Sequence, residues 1–441
     1  MATFTHSIPV ATLPALCSAD ELTKVLTLHK DARYLLLHLT GATPVKLTAL
    51  QDFAQLPEAP LLYTDYISLP YDETVRLIDY QTGSVRNDFD FGPLVRINVS
   101  DALKSMSVID SSLRYAAWYA LRLELSRLHL PVHIPQAAYS ITIDDCNRPD
   151  AHGEHFAYVN PANRDVQSEM EYAFTKYLHN IHAWIPAPMQ PVDFGDNYPV
   201  EASVVIPVKN RAGTIADAIN SALSQSAPFK FNVIVVDNHS TDSTSEIIRE
   251  LAGRHPNLIH HIPERTDLGI GGCWNEALFH RQCGRFAIQL DSDDLYSDSD
   301  VINRIVNRFH QTGAAMVVGA YSLTDFNLNP MPPGVIDHRE WTDANGHNNL
   351  LRVNGIGAPR AYSTAVARRH PMENVSYGED YGMALRFSRS YPIARIFDVL
   401  YLCRRWSGNS DSNISQEQLN RYNTYKDSLR TNELQARTRS L

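Results

Sequence analysis

Residues 285–294 read RFAIQLDSDD, a short apolar run that ends in a cluster of acids. The apolar part predicts a buried strand, and three carboxylates follow within four positions. In an open α/β sheet, ligands bind in the crevice outside the carboxyl ends of the strands. Carboxylates this close repel one another unless a cation or ligand lies between them, and such oxygen ligands suit Mg²⁺ or Mn²⁺. Taken alone, the cluster is equally consistent with a solvated acidic turn that opens the next helix.

The flanking sequence predicts a parallel sheet around this cluster. From Val200 onward strands alternate with helices, with strands expected over 202–207, 231–236, 258–262 and 286–290. This order predicts a Rossmann-like, mostly parallel α/β sheet with helices on both faces. Polar side chains, together with a proline and several glycines, follow the strands, as expected for a ligand crevice. These residues are Pro207, Lys209, Asn210 and Arg211, then Asp237, Asn238 and His239, then Arg265, Asp267, Gly269, Gly271 and Gly272, and finally the acids.

The composition is that of a globular protein with room for two or three domains. The 441 residues are 44% hydrophobic and 20% charged, with a formal net charge of -10. Since there is no block of lysine or arginine, nucleic acid and anionic membranes are disfavoured as partners. Five scattered cysteines predict reduced thiols, not disulfides or a zinc site. Without a long apolar run or a signal-like N-terminus, a cytoplasmic protein with no membrane span is expected.

Four ordered motifs resemble those of the family-2 glycosyltransferases, inverting enzymes of GT-A fold that use nucleotide sugars. The motifs are VVIPVKN at 204–210, VVDNHSTD at 235–242, LDSDD at 290–294 and GED at 378–380, within a resemblance that covers roughly residues 200–412. The resemblance implies that Asp237 contacts the nucleotide base and that Asp291 faces the ribose or metal-bound water. It also implies Asp293 as the metal ligand that bridges the diphosphate, with Asp291 as its companion, and Asp380 as the general base. The implied nucleotide-sugar site further contains Pro207, Lys209, Asn210, Asn238, Arg265, Gly271, Ser292, Glu379 and Arg405.

The chemistry of sugar transfer needs groups of these kinds. A divalent cation, Mn²⁺ or Mg²⁺, neutralises the departing diphosphate, and one carboxylate deprotonates the attacking hydroxyl. In-line attack with a single base inverts the anomeric centre without a covalent intermediate. For Glu379 and Asp380 taken alone, an acidic first helical turn is the simpler interpretation. Together with the other three motifs, we expect Asp380 to be catalytic.

The sequence departs from the family pattern at several positions. Trp406 stands near the place where many members have a metal-binding histidine, so the implied metal shell holds one or two side chains plus phosphates and water. Lys209 replaces an aromatic or polar residue near the base. Arg404 and Arg405 are expected either to clamp diphosphate oxygens or to form a solvated positive edge. His347, in a polar loop, is expected at the surface.

The sequence therefore predicts a metal-dependent inverting glycosyltransferase. It would move a sugar from a nucleoside diphosphate sugar, UDP-linked by expectation, to a hydroxyl of a glycan or glycoconjugate, in bacterial-type polysaccharide or glycoconjugate synthesis. One alternative is a nucleotidyltransferase, which would need a glycine-rich phosphate loop where residues 207–210 read PVKN. The other is a non-catalytic nucleotide-sugar-binding or scaffold protein.

Three regions are expected along the chain: an α/β domain over 1–150, a helical and proline-rich linker over 151–198, and the catalytic GT-A domain over 199–441. Within the first region, Arg33-Tyr34 before an apolar strand matches Arg285-Phe286, and Ser126, Arg127 and Tyr139 match Ser388, Arg389 and Tyr401. The region is therefore either a degenerate, non-catalytic GT-A-like copy or an unrelated module, serving acceptor binding or homodimer formation. Helices are also predicted near 47–56 and over 165–184.

Overall fold

The structure, a computed structural model, describes residues 8–40, 45–50, 53–69, 71–143, 164–186, 189–409 and 414–439. The chain divides into two compact units. Unit 1 comprises residues 1–184 and 415–441, and unit 2 comprises residues 185–414. The predicted boundaries at 150 and 198 differ from this division, because the linker helix and the C-terminal segment both pack within unit 1.

The first part of unit 1 carries two small sheets and four helices within the described residues. One sheet has the strand order β1-β2-β7-β4-β8 and the other β3-β9-β5-β6. Strand β2 is buried from Tyr34 to Leu39 because neighbouring strands flank it on both sides. In chain order the elements are β1 (Val10–Pro14), α1 (Ala19–Leu28), β2 (Tyr34–Thr40), β3 (Val45–Leu50), β4 (Leu61–Thr64), β5 (Tyr66–Leu69), β6 (Glu73–Val75), β7 (Leu94–Asn98), α2 (Val99–Met106), α3 (Ala117–Leu128), β8 (Val132–Ile134), β9 (Tyr139–Ile143) and α4 (Arg164–Asn180).

The two predicted helices of this region had different outcomes. The helix expected over 165–184 is present as α4. The helix expected near 47–56 is absent, since residues 45–50 form strand β3 and residues 53–55 form a short 3₁₀ turn. Strand β3 pairs antiparallel with β9, and this tertiary pairing overrides the helical spacing of the leucines.

Unit 2 is built on one sheet of nine strands. Strands β12, β11, β10 and β13 run parallel, which confirms the predicted α/β class. Strand β17 then pairs antiparallel with both β13 and β15, so β15 again runs in the direction of the first four strands. The elements are β10 (Ala202–Val208), α5 (Ile215–Leu223), β11 (Phe231–Asp237), α6 (Thr244–Arg254), β12 (Leu258–His261), α7 (Ile270–Phe279), β13 (Phe286–Gln289), β14 (Leu295–Tyr296), α8 (Val301–Thr312), β15 (Met316–Asp325), β16 (Pro330–Ile336), α9 (Gly346–Asn349), β17 (Arg360–Ser363), α10 (Thr364–Arg369), α11 (Glu379–Ser390) and β18 (Ile393–Arg405).

The core of unit 2 holds the parallel strands rigidly. Val204, Val235 and Ile288 point into it from three strands, and Ile219 and Ile305 cover them from helices α5 and α8. All five are buried almost completely. Since each such side chain contributes roughly 1.5–3 kcal/mol, the strand ends form a stable edge from which polar side chains can project.

The sheets of the two units share a pairing pattern. In unit 1, β1 and β8 lie parallel to β2 and β4, and β7 lies antiparallel between β2 and β4. In unit 2, β10, β13, β17, β15 and β18 follow in the same order with the same directions. The registers agree around the whole circuit. In each of the following comparisons the first pair lies in unit 1 and the second is its counterpart in unit 2. The pair Val10–Leu36 corresponds to Val204–Ile288, and Leu61–Ile97 corresponds to Met316–Tyr362. Likewise Leu62–Val132 corresponds to Val317–Ala394, and Ile67–Ser140 corresponds to Ser322–Leu402.

The last helix, α12 (Gln416–Arg439), completes unit 1. Its Asp427 is fully buried and accepts hydrogen bonds from Ser84 Oγ at 2.8 Å and Arg430 Nη1 at 2.7 Å. A Cβ on Gly83 would lie 2.2 Å from the Asp427 carbonyl oxygen, so glycine is required for this close approach. Since Gly83 and Ser84 lie outside α12, these buried contacts tie α12 to the rest of unit 1.

Candidate active site

Three acids follow β13, and they point in different directions. Asp294 is buried, and its Oδ1 accepts the backbone N–H of Arg404 at 2.8 Å, so this carboxylate faces the protein. Asp291 and Asp293 stay partly exposed. Burial, together with the charge of Asp291, raises the pKa of Asp293 above its ordinary value. A second negative charge beside a desolvated carboxylate favours a cation between the two.

Three donors from two segments surround Asp293. Trp406 Nε1 and Asn409 Nδ2 each lie 3.3 Å from its Oδ2, and Arg211 Nε lies 3.8 Å from the same oxygen. Trp406, which occupies the position near an expected histidine, therefore contacts the carboxylate as a donor and offers no metal ligand. These contacts are long and leave Oδ1 available.

The donor set fits a hard divalent cation of limited protein coordination. Among the described residues, no group of three or more histidine, cysteine or acidic side chains is arranged to hold a metal by itself. Asp291 and Asp293 supply two hard oxygen ligands. Mg²⁺ and similar ions bind in this way, through one or two carboxylates plus phosphate oxygens and water. The residues present thus fit an ion that arrives with a phosphorylated ligand.

A second pair of acids, Glu379 and Asp380, opens helix α11. Gly378 precedes the helix with a φ of +84°, a conformation that favours glycine, and so sets the direction of the first turn. Asp380 Oδ2 lies 3.0 Å from Arg360 Nη1 on β17. Its carboxylate is therefore paired with a half-buried cation while its own side chain stays 21% exposed.

Glu379 is a buried carboxylic acid whose pKa lies above its ordinary value. Burial and the neighbouring charge of Asp380 raise its pKa to about 8. Its Oε2 is buried without a hydrogen-bond partner. At neutral pH the folded protein therefore keeps Glu379 protonated, because ionising it would place a second negative charge beside Asp380.

This raised pKa predicts a pH-dependent effect of Glu379→Gln on stability. Between pH 4.5 and 8 the unfolded chain releases a proton that the folded chain keeps, so wild-type stability falls as pH rises through this window. The glutamine variant lacks this loss. The difference in free energy of unfolding, variant minus wild type, should therefore be about 2–4 kcal/mol larger at pH 8 than at pH 4.5, since one pKa unit corresponds to about 1.4 kcal/mol. Urea unfolding at both pH values measures the difference, and exposed Glu417→Gln is the control. An equal effect at both pH values would contradict the assigned pKa.

The carboxylate of Asp237, expected at the nucleotide base, is fully buried at the end of β11. Its Oδ1 accepts Ser240 N at 3.0 Å, and its Oδ2 accepts the Ser245 hydroxyl and lies 3.2 Å from His260 Nε2. Burial works against the charge, yet these hydrogen bonds hold the pKa of Asp237 below its ordinary value. A base could reach this carboxylate only if one of these bonds opened. The adjacent Asn238 keeps a buried Oδ1 without a partner.

The segment after β10 lies open to solvent. Lys209 and Asn210 are exposed, while Pro207 and Arg211 are half-buried. Asn210 adopts a φ of +54°, and its Oδ1 accepts the N–H of Thr241 at 2.8 Å, so the loops after β10 and β11 are joined at this point. Of this group, the structure brings Arg211 to the acidic cluster.

The remaining expected residues have diverse surroundings. The Arg265 side chain is more than half exposed and forms two hydrogen bonds with Asp267, at 2.9 and 2.7 Å. A Cβ on Gly271 would lie 2.0 Å from the Glu373 carbonyl oxygen, so this glycine permits close packing of protein against α7. Ser292 is buried and Arg405 is half-buried.

Two expectations made outside the core motifs are corrected. Arg404 is buried, donates from Nη1 to Asp217 Oδ2 at 2.9 Å and contacts the Asp293 carbonyl, so it supports the acidic loop and is not a solvated edge, while its contact with diphosphate oxygens stays a prediction. His347 lies in helix α9 and is only 6% exposed, not at the surface. In both cases the charge or polarity of the residue predicted exposure, and tertiary packing decided otherwise.

The sequence reasoning missed Gln289 and Arg360. Gln289 is the last residue of β13 and is 1% exposed. A buried amide is costly unless its hydrogen bonds are satisfied, so a glutamine at the end of an apolar strand was a signal that could have been read. Arg360 carried no comparable signal, because its ion pair with Asp380 spans two elements.

Comparison with known proteins identifies related sequences for unit 2. Residues 203–374 match the family described as Glycosyl transferase family 2. The succinoglycan biosynthesis protein ExoA of Rhizobium meliloti is 26% identical over 204 residues, which cover 42% of this chain and 58% of the relative. Chondroitin synthase of Pasteurella multocida is 30% identical over 141 residues, 32% of this chain and 14% of that protein. The chain thus spans less than two thirds of these relatives.

Solved structures show more distant similarity. Staphylococcus aureus TarS 1–349 in complex with UDP-GlcNAc has a TM-score of 0.40 and 20% identity, covering 55% of this chain and 73% of that chain. The mannosyltransferase PcManGT from Pyrobaculum calidifontis, in complex with GDP-Man and Mn²⁺, has a TM-score of 0.37 and 18% identity, covering 62% and 84%. Within the part of this chain that the structure describes, no helix is both long and apolar enough for a bilayer crossing.

Proposed function

Since residues 203–374 form a glycosyl transferase family 2 domain, we propose that unit 2 transfers a sugar from a nucleoside diphosphate sugar to an acceptor hydroxyl, with inversion and with a divalent cation. The observation that carries the proposal is the pairing of two groups of acids. Asp291 and Asp293 follow β13, and Asp380 follows β17 and α10 at the start of α11, joined to the first group through Arg360 and Gln289. One group suits a cation and the other a proton acceptor.

The donor side of the proposed reaction belongs to the acidic cluster. Asp293 and Asp291 would hold Mn²⁺ or Mg²⁺, and the ion would supply positive charge to the departing diphosphate. Arg211, 3.8 Å from Asp293, adds a fixed positive charge on the same side. Lys209 and Asn210, exposed on the neighbouring loop, are proposed to contact the nucleotide.

The acceptor side belongs to Asp380. Its partly exposed carboxylate would accept the proton of the acceptor hydroxyl as that oxygen attacks the anomeric carbon. Arg360 Nη1 lies 3.0 Å from Asp380, while Glu379 stays protonated beside it. A single carboxylate acting as base on the acceptor side suits a single in-line displacement, which inverts the anomeric centre.

A donor screen tests this proposal. Purified chain is incubated with Mn²⁺ and a panel of UDP- and GDP-linked sugars, and release of the nucleoside diphosphate is measured with and without short glycans and glycoconjugates as acceptors. Metal-dependent release from at least one donor, stimulated by an acceptor, is the expected result. If the chain binds UDP but releases none from any donor, it is a nucleotide-sugar-binding protein and the transferase proposal fails.

A further inference from the structure

Arg360 is a half-buried cation that links the two groups of acids. Its Nη1 is 3.0 Å from Asp380 Oδ2 and 3.1 Å from the carbonyl of Gly357, and it comes from the first position of β17. Burial works against its charge, but Asp380 more than offsets this, so the pKa of Arg360 is raised and the guanidinium stays charged. Asp291 and Glu379 are the other acids that act on it.

Gln289 continues the chain of contacts to the donor side. Its Oε1 accepts the backbone N–H of Arg360 at 3.0 Å. Its Nε2 donates to Asp291 Oδ1 at 3.0 Å and Oδ2 at 2.9 Å. The amide is therefore satisfied at both ends, which offsets the cost of burying it in an otherwise apolar strand.

This bridge joins groups on three elements of one rigid sheet region. Asp380 lies on α11, Arg360 on β17 and Gln289 on β13, and β13 and β17 are directly paired. If the Arg360–Asp380 ion pair only stabilised the fold, the further contact through Gln289 to Asp291 would not be needed. We propose that Arg360 and Gln289 are positioning residues that fix Asp380 relative to Asp291, and so set the distance between the acceptor and donor sides. The inference rests on the proposed function.

Substitution of Arg360 tests the bridge. Arg360→Gln should lower kcat by about 10²-fold or more, comparable with the loss of a general base, while UDP affinity in Mn²⁺ stays within about threefold. Loss of the cation should also move the acid limb of the kcat–pH profile to higher pH, because a neighbouring positive charge favours the ionised form of a carboxylate base. Arg360→Lys, which retains the charge, should restore part of kcat and most of the pH profile. Exposed Arg339→Gln is the matched control.

A second variant, Gln289→Leu, replaces the amide with a side chain of similar volume. This substitution leaves the charge of Arg360 in place but removes the link between Arg360 and Asp291, so kcat should fall by about tenfold or more without the pH shift. Thermal unfolding of both variants shows whether they fold. Unchanged kcat and pH profile in a folded Arg360→Gln enzyme would overturn the bridge. Absence of any transfer by wild type would instead overturn the proposed function, so the two failures are distinguishable.

The shared pairing pattern of the two sheets carries a second inference. Aligning the units by register places Leu37 at the position of Gln289, Leu39 at Asp291 and Val95 at Arg360. Helices α3 and α11 both span twelve residues, and Ser126 and Ser388 donate to carbonyls three residues earlier in each. This match places Ala117 and Trp118 at Glu379 and Asp380.

Unit 1 also lacks the strands that precede the acidic cluster in unit 2. Residues 15–33, all described, join β1 to β2 through helix α1 alone, whereas β11 and β12 lie between β10 and β13. All the polar positions of the bridge are apolar and largely buried in unit 1. We infer that unit 1 is a shortened copy of the same fold without a donor site, and that the chain binds one nucleotide.

Binding stoichiometry tests this second inference, which also rests on the proposed function. Full-length chain is titrated calorimetrically with UDP in the presence of Mn²⁺, and one site per chain is expected. Two sites per chain would overturn the inference while sparing the proposed function. No binding of UDP, or of GDP in a parallel titration, would count against the proposed function itself.

Discussion

Replacing Asp380 by asparagine is expected to lower kcat for sugar transfer by about 10²–10⁴-fold, the usual contribution of a general base. Asparagine keeps the size of the side chain but cannot accept the proton of the acceptor hydroxyl. UDP affinity in Mn²⁺ should stay close to that of wild type, because Asp380 lies on the acceptor side of the bridge. Steady-state transfer and calorimetric titration on the same preparation measure the two effects.

Asp398→Asn on β18 is the matched control, since this carboxylate is exposed and lies on the same unit. Its kcat should equal that of wild type. Near-normal turnover by Asp380→Asn would remove Asp380 from the role of base. A parallel loss of UDP affinity would mean that the variant disturbs the donor side, because Arg360 is left without its charged partner.

Replacing Asp293 by asparagine is expected to weaken metal binding. In Mn²⁺ the variant should transfer sugar about 10²–10³-fold more slowly, because a cation on a leaving group contributes several kcal/mol. UDP affinity should lose its dependence on Mn²⁺. Without metal, UDP should bind the variant as well as wild type or better, since one negative charge facing the diphosphate is gone.

The control for Asp293 is Asp300→Asn, an exposed carboxylate just before α8. In wild type, the raised pKa of Asp293 implies that Mn²⁺-dependent UDP affinity weakens on acidification at a higher pH than an ordinary aspartate would allow. If Asp293→Asn retained the Mn²⁺ effect, the metal would have to bind elsewhere, and the assignment of Asp293 would be wrong.

The order of strands in unit 2 was predictable from sequence because parallel strands buried on both faces are long apolar runs. The positions of the acids followed from the same pattern, since they are adjacent to these runs. What sequence could not show is where each carboxylate points. Asp237 ends an apolar strand and Asp294 follows one, yet contacts with His260 and Arg404 hold them inside the protein. These contacts join residues 23 and 110 positions apart in the chain.

The bridge was hidden from sequence for a related reason. Arg360 lies 20 residues before Asp380 and 71 after Gln289, so the pairing of β13 with β17 alone brings them together. In unit 1, a few matching residues suggested a repeat, but the pairing registers describe it far more fully. Registers can persist where side chains have changed, because backbone hydrogen bonds depend little on residue type.

Helix α12 belongs to unit 1 although it follows unit 2 in the sequence, so the order of synthesis matters for folding. Residues 185–414 lie between the two parts of unit 1 in sequence, so the ribosome completes unit 2 before it delivers Asp427 to Ser84. Domains generally fold as units as they emerge. Unit 2 can therefore reach its native state first, while unit 1 is completed only when α12 emerges and buries Asp427 against Ser84.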